Sequence, residues 1–205
     1  MSLMNRIEPI HEVVLQPGDF HFGDADTRIR TLLGSCVSIT MWHPEKKIGG
    51  MCHYMLPGRN AEKIEALDGR YADEAMELFM REIRVAGTRP FEYRVKAFGG
   101  GNMFPDIKKK HTKCASHGSR SEMCSCRDVA CRNAGIAFEL ASRHGFEIEA
   151  RDLGGAGHRN VIFDIGTGHV WVRQTPNIEE KGRMGDAIKV LTFAAIPRRM
   201  AIRAG

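Results

Sequence analysis

The sequence predicts an α/β sandwich with a mixed sheet, folded as a single domain. Three observations carry that expectation. Short runs rich in β-formers outnumber helical stretches, the two clear helical stretches come singly between those runs, and glycine- or proline-bearing turns punctuate the chain. A length of 205 residues suffices for one sizeable core, and 42% hydrophobic with 27% charged residues is a soluble, globular composition.

The elements follow in order. Glu12 to Leu15 is a short apolar run stopped by Pro17-Gly18. Thr27 to Leu33 leads into a Gly34-Ser35 turn, and Val37 to Trp42 alternates and is rich in β-formers. His43 to Lys47 reads as a hairpin loop, after which Ile48 to Leu56 resumes as a strand ended by Pro57-Gly58. Tyr71 to Ala86 is helical, with Ala72, Ala75, Met76, Phe79 and Ile83 repeating at three and four and Gly87 as a C-cap. Phe91 to Phe98 is a strand running into Gly99-Gly100-Gly101, and Val129 to His144 is a second helix closed by Gly145. Three strands are expected at Phe146 to Leu153, Asn160 to Ile165 and His169 to Arg173, and a short helix near Ala187 to Ala194. Residues 1–11 read as an N-terminal extension, 12–175 as the domain and 176–205 as a C-terminal tail.

Composition excludes several classes. No apolar run approaches the ~18–20 residues that span a bilayer, and the stretch from Met1 to Glu12 lacks the apolar core and cleavage site of a signal peptide. A cytoplasmic chain without membrane insertion is expected. The net charge of +5, from 30 basic and 25 acidic residues, is mild, and no zinc-finger spacing, RNP motif or basic-aromatic stripe points to nucleic acid. The six cysteines, at 36, 52, 114, 124, 126 and 131, are expected to be reduced thiols.

The segment Thr31-Leu32-Leu33-Gly34-Ser35-Cys36-Val37 is the most informative. A thiol after Gly34-Ser35 sits where the chain turns tightly, where backbone N–H groups can serve as an oxyanion hole. If the loop 43–47 is symmetric, Val37 pairs with His53 and Cys36 with Tyr54, so that Cys36 and His53 are diagonal neighbours; a one-residue change of register would put them directly opposite, and at such positions Cβ atoms lie about 5–8 Å apart. A histidine beside a thiol can take its proton and make the nucleophile. Thr31 is the candidate to orient the ring. Cys52 should face the other side of its strand and is read as core.

Residues 31–57, TLLGSCVSITMWHPEKKIGGMCHYMLP, resemble the signature stretch of the chemoreceptor glutamine deamidase family, CheD. RYADEAM at 70–76, FGGGNMF at 98–104, CRNAGIAFEL at 131–140 and DLGGAGHRNVIFDIGTGHVWVR at 152–173 resemble further motifs of that family in the same order. The resemblance implies an α/β sandwich and a Cys–His–Thr site that converts particular receptor glutamines to glutamate. It places the nucleophile at Cys36, the base at His53 and the orienting hydroxyl at Thr31. It also implies two partners, the cytoplasmic domain of a chemoreceptor and a CheC-type phosphatase. Two alternatives stand beside it: a non-catalytic regulator of CheC, and a receptor methylesterase using the same thiolate.

The remaining signals are weaker. Residues 105–131 form a basic, cysteine-rich insertion in which Cys114, His117, Cys124 and Cys126 are the ligand types zinc takes. Their spacing is irregular and lacks a second C-x-x-C knuckle, so the segment reads as a solvated charged loop and no cofactor is expected. Gly99-Gly100-Gly101 lacks the ending of a phosphate loop. With Gly34 and Ser35, Gly99 and Gly100 are expected to bind substrate, at a tight turn where its backbone approaches the site. Arg159 is read either as structural or as a substrate contact.

Overall fold

The computed structural model describes residues 10–59, 66–103 and 128–175, and a strand backbone at 187–191. Among the described residues, ten strands form two five-stranded sheets. The first, sheet I, has β1 (His11–Leu15), β3 (Thr27–Leu33), β8 (His158–Asp164), β9 (Val170–Thr175) and β10 (Ala187–Leu191) in the order β1-β3-β8-β9-β10. Sheet II has β2 (Phe20–Gly23), β5 (Ile48–Cys52), β4 (Val37–His43), β6 (Arg94–Gly99) and β7 (Ile148–Leu153) in the order β2-β5-β4-β6-β7. Each sheet is mixed: β1 runs parallel to β3, β6 runs parallel to β7, and the other pairs are antiparallel. The expected α/β sandwich is thus formed, with its strands divided between two sheets.

Sheet II is the middle layer. Helices α1 (Ala72–Val85) and α2 (Val129–Arg143) cover one face, where Val37, Ile39, Met41, Cys52 and Tyr54 meet Met76, Phe79, Ile83, Ala137 and Leu140. Sheet I covers the other face, where Ile29, Leu33, Val161, Phe163 and Val172 meet Trp42, Met51 and Phe98. Strand β4, sandwiched between both layers, is buried along its whole length, which explains why polar Ser38 and Thr40 are buried too. Both helices sit where the period of apolar residues placed them. Asp73 and Glu74 in the first turn and Arg84 in the last complement the dipole of α1. In α2, Asp128 caps the first turn by accepting from the Ala130 N–H at 3.0 Å. No helix among the described residues is long and apolar enough to cross a membrane.

Three local expectations change. Strand β2 was not expected; it is four residues long, too short for a period to show, and exists because its backbone pairs with β5 while Phe20 stacks edge-on against Phe79 at 4.8 Å. The strand expected from Phe91 begins at Arg94, because Pro90–Glu92 forms a 3₁₀ turn in which Glu92 accepts from the Arg89 N–H. Near Ala187 the chain is a strand rather than the start of a helix, paired antiparallel to β9. The alternation of Ile188 and Val190 suits a strand, and the open edge of β9 supplies the hydrogen bonds. Residues 192–194 of that expected helix lie outside the described residues.

Candidate active site

The β4–β5 hairpin sets the relation of Cys36 to His53, and its register differs by one residue from the symmetric expectation. His43 pairs with Ile48, not Lys47, leaving a four-residue turn in which Lys47 takes a left-handed φ of 50° and donates its N–H to the His43 carbonyl at 2.9 Å. Val37 therefore pairs with Tyr54, exchanging both backbone hydrogen bonds at 3.0 Å. A one-residue slip exchanges faces. In the symmetric register Cys36 and His53 would point to opposite faces; in the observed one, alternation puts both on the face toward sheet I. Cys36 packs against the inter-sheet core, while Cys52 and Tyr54 face the helices. As expected, Cys52 is core, and burial pushes its thiol up to about 12.

His53 is held on every side but one. Its backbone leaves the hairpin and pairs with the Pro17-Gly18-Asp19 turn, its N–H donating to Asp19 O at 2.9 Å and its carbonyl accepting from Gly18 N at 2.7 Å. Its ring Nδ1 lies 2.8 Å from Thr31 Oγ1, which donates to the Leu15 carbonyl at 2.9 Å. A hydroxyl has one proton. When that proton is directed to Leu15 O, which can only accept, Thr31 accepts from His53 Nδ1–H. This leaves the lone pair on Nε2, a buried atom with no hydrogen-bond partner. Thr31 is on β3 of sheet I and His53 directly follows β5 of sheet II, both buried, so this bond links the two layers.

Cys36 sits half-buried where the chain passes from sheet I to sheet II. Burial pushes its thiol above the usual range, opposed by the Ser35 hydroxyl and by Cys36's own backbone N–H, which both favour the thiolate. Burial also lowers the His53 imidazole, opposed by the Asp19 carboxylate. Both directions favour a neutral thiol and a neutral imidazole at rest.

The glycine run packs against this loop. Gly99 has φ +111°, and a Cβ there would lie 2.2 Å from the Cys36 carbonyl oxygen. Gly100 N–H donates to Cys36 O at 2.7 Å and Gly101 N–H to Gly34 O at 2.8 Å. The close backbone approach read from these glycines is thus to the Cys36 loop itself, and the amides of Gly100 and Gly101 are engaged there. Gly34 packs against Met103, whose sulfur would be 3.0 Å from an added Cβ. Arg159 is structural: fully buried, it grips Asp152 through Nε at 3.0 Å and Nη2 at 2.9 Å, and the Gly154 carbonyl at 2.6 Å. Asn133, Tyr54 and Asp19 also border the site and were not singled out in the sequence. For Asn133 a signal existed, since it is a polar residue on the apolar face of α2 shared with Ala130, Ala137 and Leu140.

Among the described residues no group of three or more His, Cys, Asp or Glu is placed to hold a metal ion, and Cys36, Cys52 and Cys131 are not in a disulfide. The candidates Cys114, His117, Cys124 and Cys126 lie outside the described residues.

These features define an α/β sandwich protein in which Cys36 and His53 point to the same face and Thr31 hydrogen-bonds the imidazole. Residues 55–174 match the family model for CheD, chemotactic sensory transduction. The chain is 50% identical to the "Probable chemoreceptor glutamine deamidase CheD" of Pseudomonas savastanoi pv. phaseolicola, over 84% of this chain and 90% of the relative. It is 48% identical to the protein of that name from Pseudomonas fluorescens, over 80% and 85%. To "Probable chemoreceptor glutamine deamidase CheD 1" of Leptospira interrogans it is 37% identical, over 82% and 96%. The chain belongs to the CheD family, and the resemblance read from its motifs is borne out.

Proposed function

We propose that this chain deamidates chemoreceptor glutamines, with Cys36 as nucleophile, His53 as general base and acid, and Thr31 as the group that orients the imidazole. The activity is the one that the names of its relatives print. The observation that supports the residue roles is the 2.8 Å contact of Thr31 Oγ1 with His53 Nδ1, while Nε2 has no hydrogen-bond partner. In the first step Nε2 takes the Cys36 proton and the sulfur attacks the glutamine carboxamide carbon. The tetrahedral oxyanion lies near the Cys36 backbone N–H. The imidazolium then gives its proton to the departing nitrogen, and ammonia leaves a thioester. Water, deprotonated by Nε2, attacks that thioester; glutamate is released and the thiol regains its proton. No cofactor takes part. The proposal includes action in the cytoplasm and, from the family resemblance alone, a CheC-type phosphatase as second partner.

The test is mass spectrometry of a receptor cytoplasmic fragment carrying either glutamines or glutamyl methyl esters at its modification sites. Deamidation should proceed on the glutamines at a rate that depends on enzyme. Turnover of the esters alone would replace this reading with a methylesterase, and turnover of neither would favour a binding role.

Thr31→Val tests the orienting bond. It keeps the shape but removes the hydroxyl that lies between His53 Nδ1 and the Leu15 carbonyl, at about 1–3 kcal/mol for a buried hydrogen bond left unmade. Deamidation should fall roughly tenfold or more, since ~1.4 kcal/mol of lost orientation is a factor of ten. Thr31→Ser should retain most activity. Equal rates for wild type and Thr31→Val would remove Thr31 from the mechanism.

A further inference from the structure

The two arms of the β4–β5 hairpin are joined through the pair Val37 and Tyr54, and beyond it they part. On the departing side the N–H groups of Met55 and Leu56 both turn to the Arg70 carbonyl, at 2.9 and 3.0 Å. The strands therefore offer no further bond between the segment that carries Cys36 and the one that follows His53. A single side chain replaces it. Asn133, fully buried on α2, donates both protons of Nδ2, one to Ser35 O at 3.1 Å and one to Met55 O at 2.7 Å. Its own backbone carbonyl accepts the Tyr54 hydroxyl at 2.7 Å.

The amide orientation follows from these partners. Flipped, it would set Oδ1 against two carbonyl oxygens. As it stands, Oδ1 is buried with no hydrogen-bond partner. The side chain thus leaves its acceptor unpaired in order to use both donors on the hairpin. Ser35 precedes Cys36, and Met55 lies two residues beyond His53, on the same face.

We propose that Asn133 is a positioning residue that sets the gap between Cys36 and His53 by clamping the two diverging arms with one amide. The proposal rests on the Cys36–His53 reading above. It concerns the pair's geometry, not the identity of the substrate.

Asn133→Asp is the test, because it keeps the shape and turns two donors into acceptors. Two readouts are needed: the deamidation kinetics, and the pH profile of Cys36 alkylation by iodoacetamide, which requires no substrate. Expected are a fall in kcat of about tenfold or more with little change in KM, the scale on which misplaced catalytic groups lose rate. Alkylation at neutral pH should fall with it, while alkylation at high pH, where the thiol ionises unaided, stays at the wild-type rate. Tyr54→Phe, which loosens α2 without touching the amide, should lower the melting temperature and leave the alkylation profile in place. Should Asn133→Asp fail to fold, Asn133→Ser keeps one donor and should show the same change in smaller measure. A wild-type alkylation profile in whichever Asn133 variant folds overturns the proposal. So does a loss of activity that tracks melting temperature alone in both the Asn133 and Tyr54 variants. A wild type inert on receptor glutamines, but with the alkylation profile still shifted by Asn133→Asp, would refute the substrate reading and leave the positioning role standing.

Discussion

Cys36→Ala should reduce conversion of receptor glutamine to glutamate to the uncatalysed background while the fold survives. The two parts have separate causes. Without the sulfur no thioester forms, and the neutral pair of thiol and imidazole that supplies the nucleophile is gone. The fold survives because Cys36 is only half-buried and packs at the margin of the inter-sheet core, so losing one sulfur costs on the order of 1 kcal/mol. The backbone bonds that hold its loop, from Gly100 to Cys36 O and from Gly101 to Gly34 O, do not involve the side chain. The measurements are tryptic mass spectrometry of the receptor fragment and a thermal melt. A Cys36→Ala protein that still deamidates at the wild-type rate would end the mechanism proposed for this hairpin. The alternative of a binding regulator would then lead, and an unchanged affinity for a CheC-type phosphatase would be its signature.

His53→Ala should cost about 10²–10⁴ in rate, the range for removing a general acid–base group. The pH dependence tells base from bystander. His53 must be neutral to accept a proton, and burial holds its pKa below the usual imidazole value of ~6.5. Activity of the wild type should therefore persist to mildly acidic pH and fall only as pH drops through that depressed value. Burial places the Cys36 thiol above the usual range, so the alkaline limit should lie higher than for a free thiol at ~8.5. In His53→Ala the acid limb should vanish, and alkylation of Cys36 should follow the thiol's own ionisation, rising only at alkaline pH. An acid limb that survives the substitution would show that another group titrates there, and His53 would lose its role.

The elements, and the proposal of a thiol–imidazole pair, were legible in the sequence for one reason: each depends on residues close together along the chain. The helical period from Ala72 to Ile83, the turn glycines at 87 and 145, and the hairpin that returns His53 toward Cys36 are local. Four residues of β2 gave no period to read, and the strand at Ala187–Leu191 is defined by a partner, β9, rather than by its own pattern. At the site, what stayed hidden was distant or depended on one residue of register. The left-handed Lys47 shortens the turn, and the resulting register puts Cys36 and His53 on one face in place of the diagonal pairing read from a symmetric loop. Thr31 was named from the sequence, but only packing shows that its bond joins β3 to the residue following β5 and that the Leu15 carbonyl is its second partner. The clamp from Asn133 comes from a helix nearly a hundred positions along the chain from Ser35. Sequence by itself therefore determined which chemistry the chain can carry, through side-chain types brought together by local turns. Tertiary structure decided which faces meet, which proton sits where and which backbone donors are already spent, because those depend on hydrogen bonds between segments that only packing brings within reach.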